Sequence, residues 1–427
     1  MKRISLFLLL FLLLKATVMY SQDGHPETNF RIVPVSPNAA SLGTFGMIPT
    51  DNYVGQANLT IPIYEIDLDG KKFPIALSYH TDGTRVAQEA TWIGLGWTLQ
   101  AGGCVVRQVQ GTDDFAARGC YNLTDAPWLT NPRFEVTDQN LEKYMGYFKG
   151  DYDAEPDMFY FNAGGHSGSM YFDVLKNNRQ LNAVPTIQTQ EKVVKMVYNT
   201  SNKTWTMTDL EGYVYSFSTK EITYYFLNTI DFFQTDITRS HIFPYYNEPQ
   251  IVTAWMLDSV TSPNGGKITF SYKKESIFTP ISTTEDVISL SKIVNGQLSS
   301  QSPQYFTNKF NYNYSYSKIE QWTLSAITFE GGKVEFGTTD REDIESAETG
   351  KKVQKLSSIK VSDTAGNLIK TTMLEYKYLL SGMAATTNGY DDRLLLSKVY
   401  DVAGSKKNNV YTMDYNLSLI HISEPTR

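Results

Sequence analysis

The sequence predicts a mainly β fold, with an N-terminal β-sheet region followed by an irregular array of long β-hairpins and few short helices. Composition is the first reason. The chain carries 28 Tyr, 22 Phe and 6 Trp in 427 residues, with 41% hydrophobic and only 19% charged residues, so strand formers are abundant and global disorder is excluded. Period-2 alternation is the second: Leu59, Ile61 and Ile63, then Ile75, Leu77 and Tyr79, and the aromatic row Phe310, Tyr312, Tyr314 and Tyr316 each place one side-chain type on one sheet face. The aromatic row is expected to pack against a neighbouring sheet, although an exposed row could bind sugar rings. Helical spacing is confined to two places. Leu141, Tyr144, Met145 and Phe148 follow the N-cap candidate Thr137-Asp138, and Glu285–Val294 is the weaker second segment.

The third reason is a recurring unit of strand, Gly-containing turn and strand ending in aromatic residues. It runs over Trp205–Phe217 around Gly212, Leu257–Tyr272 around Gly265-Gly266, Leu324–Phe336 around Gly331-Gly332, Leu356–Tyr376 around Gly366, and Leu395–Tyr415 around Gly404. Glycine there supplies the positive φ that tight hairpin connections need. The spacing is irregular, which indicates hairpins with insertions and not a strict solenoid. The longest insertion, Asp231–Pro249, is expected to be a surface loop.

Residues 1–22 read as a signal peptide. Met1-Lys2-Arg3 is a basic start, Ile4–Leu14 is an unbroken apolar run, and small and polar residues follow Lys15. The run is about half the roughly 20 apolar residues of a transmembrane helix. The chain is therefore expected to be exported, to the extracellular space or the outer cell surface, with no transmembrane segment. Net charge is −7 and becomes more negative once Lys2, Arg3 and Lys15 are lost, which argues against nucleic acid as a partner. In an oxidising compartment Cys104 and Cys120, the only cysteines, could close a short disulfide; equally, Gly103-Cys104-Val105-Val106 is a setting in which free Cys is an ordinary core residue.

Several blocks resemble the N-terminal region of secreted Rhs/YD-repeat proteins of Bacteroidetes type. They are Ser36-Pro37-Asn38-Ala39-Ala40-Ser41-Leu42-Gly43, Ile61-Pro62-Ile63-Tyr64, Leu77-Ser78-Tyr79-His80 and the Gly-rich block from Trp92 through Gly94-Leu95-Gly96-Trp97 to Gly102-Gly103. Glu155-Pro156-Asp157-Met158-Phe159, Ser262-Pro263-Asn264-Gly265-Gly266 and Arg393-Leu394-Leu395-Leu396 look like later landmarks, and Tyr400-Asp401-Val402-Ala403-Gly404 resembles a single YD repeat. The resemblance implies an exported protein whose tandem hairpins wind into a hollow β-shell that carries a variable C-terminal toxin or effector. Its repeat array and toxin tip are not in this sequence, so the chain is expected to be truncated. Residues 23–176 then form the N-terminal β region, and residues 177–416 form the hairpin array leading towards YD repeats. One back-translation of Leu417–Arg427 looks like a transposon-end adapter of shotgun sequencing libraries, so residues 417–427 are expected to be an adapter-derived artefact. The last hairpin would normally be covered by the next one, leaving an open strand edge that invites self-association.

No constellation of catalytic residues stands out. Gly94, Gly96, Gly102 and Gly103 around Trp92 and Trp97 are read as a structural motif, because the third Gly of a dinucleotide loop is replaced by Leu99. Gly165-His166-Ser167-Gly168-Ser169 lacks the final Gly of a nucleophile elbow and reads as a hairpin turn. Asp151, Asp153, Glu155 and Asp157 alternate but put Pro156 and Asn162 where a calcium loop needs Gly and Glu, so a solvated acidic turn is expected. His25, His80, His166 and His241 are too dispersed to form a metal site or supply a base. The expected role is thus a non-catalytic structural segment of an exported shell or cell-surface protein. It needs no cofactor or metal, and its partner is the downstream YD-repeat shell of the same chain. The alternatives are a surface carbohydrate- or protein-binding β module and, further down, a secreted hydrolase.

Overall fold

The structure, a computed structural model, describes residues 33–47, 59–79, 88–111, 113–116, 119–122, 153, 155–173, 184–188, 194–230, 237, 239–244, 250–289, 293–294, 297–298, 308–379, 393–404 and 406–415. The signal-peptide segment, the helical spacing at Leu141–Phe148 and the adapter-like tail lie outside these residues. Among the described residues the one α-helix is α1 (Pro37–Met47). Ser36 caps it: its Oγ accepts the Ala39 N–H at 3.1 Å, and Pro37 takes the first helical position, where no N–H is missed. The helix escaped the sequence reading because Gly43 and Gly46 blur its periodicity.

β1 (Leu59–Leu68), β2 (Lys71–Tyr79) and β3 (Trp97–Gln100) form an antiparallel sheet in that order. The alternation in β1 changes phase at a bulge between Pro62 and Tyr64, so Ile61 and Ile63 are buried before it and Ile66 and Leu68 after it. The bulge keeps the apolar face inward where a strict period of two would turn it out.

A larger system of antiparallel ladders begins with β4 (Gly103–Gln108), β5 (Met158–Ala163), β6 (His166–Tyr171), β7 (Thr186–Ile187), β8 (Val194–Asn199), β9 (Thr204–Asp209) and β10 (Val214–Ile230). It continues through β11 (Phe243–Pro244), β12 (Ile251–Thr261), β13 (Lys267–Phe278) and β14 (Ser282–Ser289). β15 (Ile293–Val294) and β16 (Gln297–Leu298) pair with each other. β17 (Asn308–Phe329), β18 (Gly332–Asp340), β19 (Glu345–Ser346), β20 (Gln354–Ser362), β21 (Leu368–Leu379), β22 (Arg393–Ala403) and β23 (Lys406–Thr412) complete it. All five expected hairpins are present, as the ladders β9–β10, β12–β13, β17–β18, β20–β21 and β22–β23. The longest strand, β17, pairs along its length with β10, β13, β14 and β18 and so stitches successive hairpins together.

Three expectations are corrected. The described part of Glu285–Val294 is not helical: Ser282–Ser289 pairs with Ser315 back to Asn308, in keeping with the β-branched Thr283, Thr284, Val287 and Ile288. The described part of the Asp231–Pro249 insertion is not all surface loop. Ile242 is buried with Tyr314 and Tyr316, and Phe243–Pro244 pairs with β10. The third correction concerns the acidic turn, treated below. The aromatic row packs where it is described: Tyr316 stacks on Phe226 with centroids 4.5 Å apart and 4° between planes.

The chain divides into two units. One holds the described residues between Val109 and Met158 together with 171–173; the other holds Val33–Gln108, Phe159–Met170 and the described residues from 184 onward. In the second unit Phe159, Tyr198, Trp205 and Trp255 form an aromatic core with centroids 4.8–6.3 Å apart.

Candidate functional site

The Gly-Trp block is a crossroads of the second unit. Gly94 and Gly96 have φ of +119° and +76°, and a Cβ on them would lie 2.9 Å from Leu396 N and 2.7 Å from the Tyr79 ring. Only glycine combines that backbone with that closeness. Leu95 N–H donates to Leu394 O at 2.8 Å, Leu356 N–H donates to Trp92 O at 3.0 Å, and Trp92 N–H donates to Asn38 Oδ1 at 2.9 Å. The block therefore touches α1, β20 and β22 at once. Trp97 is 1% exposed; its Nε1 donates to Tyr415 Oη at 2.9 Å, and that hydroxyl donates to Leu396 O at 2.8 Å. Gly103 lies hard against Asn162 O, while Gly102 sits near Phe270. Cys104 is buried beside Ala39 and Met256, and both Cys104 and Cys120 are free thiols, so the structure carries no bridge between them. Burial pushes the Cys104 thiol up; burial, with Asp114 and neighbouring acids, pushes the Cys120 thiol up to about 12.

The Tyr-Asp pair of the YD-like unit ties three strands. Asp401 Oδ1 accepts the Thr372 hydroxyl at 2.6 Å, and its Oδ2 lies 2.8 Å from Asn409 Nδ2 and 3.1 Å from Lys370 Nζ. Those partners stand on β21 and β23, on either side of β22. Burial opposes its ionisation, but these donors outweigh it and hold the carboxyl below the usual range. Tyr400 is buried under Lys407 Nζ, 4.0 Å from the ring centre.

A second polar knot centres on Asp209, whose side chain is 1% exposed. Its Oδ1 accepts the N–H groups of Glu211 and Tyr213 at 3.0 and 2.9 Å. Its Oδ2 lies 2.5 Å from Lys71 Nζ, 3.2 Å from Tyr215 Oη and 3.8 Å from His166 Nε2. Tyr213 Oη donates to Leu68 O at 3.0 Å, and Asp69 accepts the Ser262 hydroxyl. The knot thus clamps the β1–β2 tip to the β9–β10 and β12–β13 turns. Burial works against charge on Lys71, but Asp209 and Glu211 hold it protonated; burial and then Lys71 push His166 down. A permanently charged lysine and a carboxylate saturated with donors are suited to anchoring. Neither Lys71 nor Asp209 belongs to a recognisable motif, and sequence reasoning passed over both.

His166 itself opens β6; the turn is Gly164-Gly165, with Ala163 opposite His166. His241 is exposed, and its carbonyl accepts Asn228 Nδ2 at 2.6 Å; His25 and His80 lie outside the described residues. In the first unit the acidic run is not a solvated turn. Asp153 and Asp157 are buried and only Glu155 is exposed, while Asp151 lies outside the described residues. Asp157 Oδ1 accepts Gln110 N–H at 2.7 Å, and Asp114 Oδ2 accepts Asp157 N–H at 2.6 Å, so these carboxylates satisfy loop backbone that a buried segment cannot leave unpaired. Among the described residues no group of three or more His, Cys, Asp or Glu is arranged to hold a metal, and no helix is long and apolar enough to cross a membrane.

No known family profile matches the chain, and no curated protein matches it. Solved structures give distant likenesses. The N-terminal domain of effector protein SpvB from Salmonella typhimurium strain LT2 is similar at 11% identity and a TM-score of 0.38, over 81% of this chain and 99% of that one. TcdB2-TccC3 is similar at 10% identity and a TM-score of 0.37, over 90% of this chain and 16% of that one. The Tc holotoxin pore of Photorhabdus luminescens is similar at 11% identity and a TM-score of 0.33, again over 90% of this chain and 16% of that one.

Proposed function

We propose that this chain is a non-catalytic structural segment of an exported Rhs/YD-type shell or cell-surface protein, and that it starts a hairpin wall serving a carried toxin or effector. The observation that carries the reading is Asp401. Standing in a Tyr-Asp-x-x-Gly unit, it reaches Thr372 and Lys370 on the preceding strand and Asn409 on the following one. A repeat that cross-links its own hairpin to the one before it is a unit that can be added again and again. β23 supports the same reading: it pairs with β22 and is exposed at every residue, a surface on which a following hairpin could pack. The partner on this account is the next YD hairpin of the same chain, outside any membrane-spanning role. Reading the genomic locus past the codon for Asn416 tests the proposal. A continuous frame rich in Tyr-Asp-x-x-Gly units is expected, and a stop codon directly after that position would overturn it.

A further inference from the structure

The described residues of the second unit line a space that their side chains do not fill. A half-open cavity of about 440 Å³ lies between the three-stranded sheet and the larger one. Ile66, Phe73 and Ile75 supply one wall; Ile268, Phe270 and Ile327 supply the other. Two apolar sheet faces ordinarily interdigitate, and protein interiors leave few voids larger than a water molecule. A volume within the ordinary range of about 300–1,000 Å³ for small-molecule pockets is therefore a feature that needs an occupant.

Glycine keeps the space open. Gly102 and Gly165 line the cavity: a Cβ on Gly165 would meet nothing within 4 Å, and one on Gly102 would lie 3.6 Å from the Phe270 ring. Side chains at these two positions would occupy volume that is now vacant. None of the lining residues is charged, which excludes an ionic ligand, since a charge taken into such a site would lose its hydration without a partner. Side-chain hydrogen-bonding capacity is restricted to Gln100, Asn162 and Ser167, with backbone groups of the lining glycines beside them. Asn162 spends its Nδ2 on Leu42 O at 3.1 Å, which leaves an amide oxygen suited to accept from a hydroxyl.

We propose that this cavity is a binding site for a neutral, ring-containing apolar small molecule bearing a hydroxyl group. The proposal is independent of the scaffold role, because it rests on the cavity and not on the hairpin array.

The probe is 2-naphthol, titrated calorimetrically into the full chain at pH 7, with the charged isostere 2-naphthoate as its counterpart. Saturable one-to-one binding of 2-naphthol is expected, with 2-naphthoate weaker by about tenfold or more. Ser167→Trp and Gln100→Trp each place an indole into the cavity, and each should weaken 2-naphthol by a similar factor while leaving the far-UV spectrum of the unliganded chain intact. Ser167 is exposed and Gln100 half-buried, so at least one of the two should fold. Absence of saturable binding overturns the proposal. So does equal binding by a folded plugging variant, or binding of 2-naphthoate as tight as that of 2-naphthol.

Discussion

Arg341 and Asp343 form a two-pronged ion pair inside the second unit, with Nε 2.8 Å from Oδ1 and Nη2 2.7 Å from Oδ2, and side chains only 2% and 1% exposed. The pair also works outward. Arg341 donates to Thr91 O and Ala90 O at 3.0 and 3.1 Å, and Asp343 accepts Leu394 N–H at 3.0 Å, so one ion pair joins the start of the Gly-Trp block to β22. Arg341→Met strands a buried carboxylate and is expected to cost about 3–5 kcal/mol in denaturant unfolding. The double variant Arg341→Met/Asp343→Leu should recover part of that loss and not all, since the Thr91 and Ala90 carbonyls lose their donor. Equal stability of the single and double variants would show that the pair is not coupled.

Gly96→Val and Trp97→Ala should impair folding and not any ligand contact. Valine at φ +76° against the Tyr79 ring combines backbone strain with a clash, and removing a 1% exposed indole leaves a large cavity. Each change is expected to cost about 3 kcal/mol or more, read as a fall in melting temperature. A variant with an unchanged melting temperature contradicts the structural role of the block.

Stability should peak at mildly acid pH. Burial raises Glu275 from an ordinary 4.5 to about 7, the Gln354 N–H and Gln321 offsetting it only in part, and burial raises Glu221 and Glu89 in the same direction. A carboxyl raised in the folded state stabilises most fully below its unfolded value, and that contribution fades as pH climbs through the folded value. For Glu275 the loss between pH 5 and pH 8 is about 2–3 kcal/mol. Asp209 and Asp401 act in the opposite sense: both are depressed, so their contributions disappear as the solution is acidified below their ordinary range. Melting temperatures across pH 4–8 should therefore fall from about pH 5 upward and level off above about pH 7, and Glu275→Gln should flatten that limb. A flat wild-type profile over pH 5–7 would contradict the burial assignment.

The hairpin architecture was legible in the sequence because turn chemistry is local. Gly212, Gly265, Gly366 and Gly404 all sit at positive φ between paired strands, as glycine in a tight connection allows. The determinants of the polar knots were not legible. Lys71 and Asp209 stand 138 positions apart, and Arg341 reaches Thr91 over 250, so no spacing rule links them. α1 was missed since its stability comes from the Ser36 cap and from Glu221, a fully buried carboxylate that accepts both the N–H and the hydroxyl of Ser36. The acidic run was misread because its carboxylates answer a demand from the Gln110–Asp114 backbone, which a sequence pattern cannot display.

His166 reports on the Asp209 knot. Lys71 is the charge that helps hold its imidazole low, after burial, while Asp209 and Glu211 pull the other way. Lys71→Met should therefore raise the His166 titration midpoint, followed by the imidazole proton resonances. A downward or null shift would mean that Lys71 does not share the knot in solution.

The last described strand, β23, decides the central claim. The strand is exposed at every residue, carries Lys406 and Lys407, and has a register irregularity where Asn409 takes φ +49°. The most direct measurement is amide hydrogen exchange over Lys406–Thr412, in this chain and in one extended with its own downstream coding sequence. The account predicts rapid exchange in the first and protection of at least about a hundredfold in the second. Slow exchange already present in this chain, or no gain on extension, would contradict it.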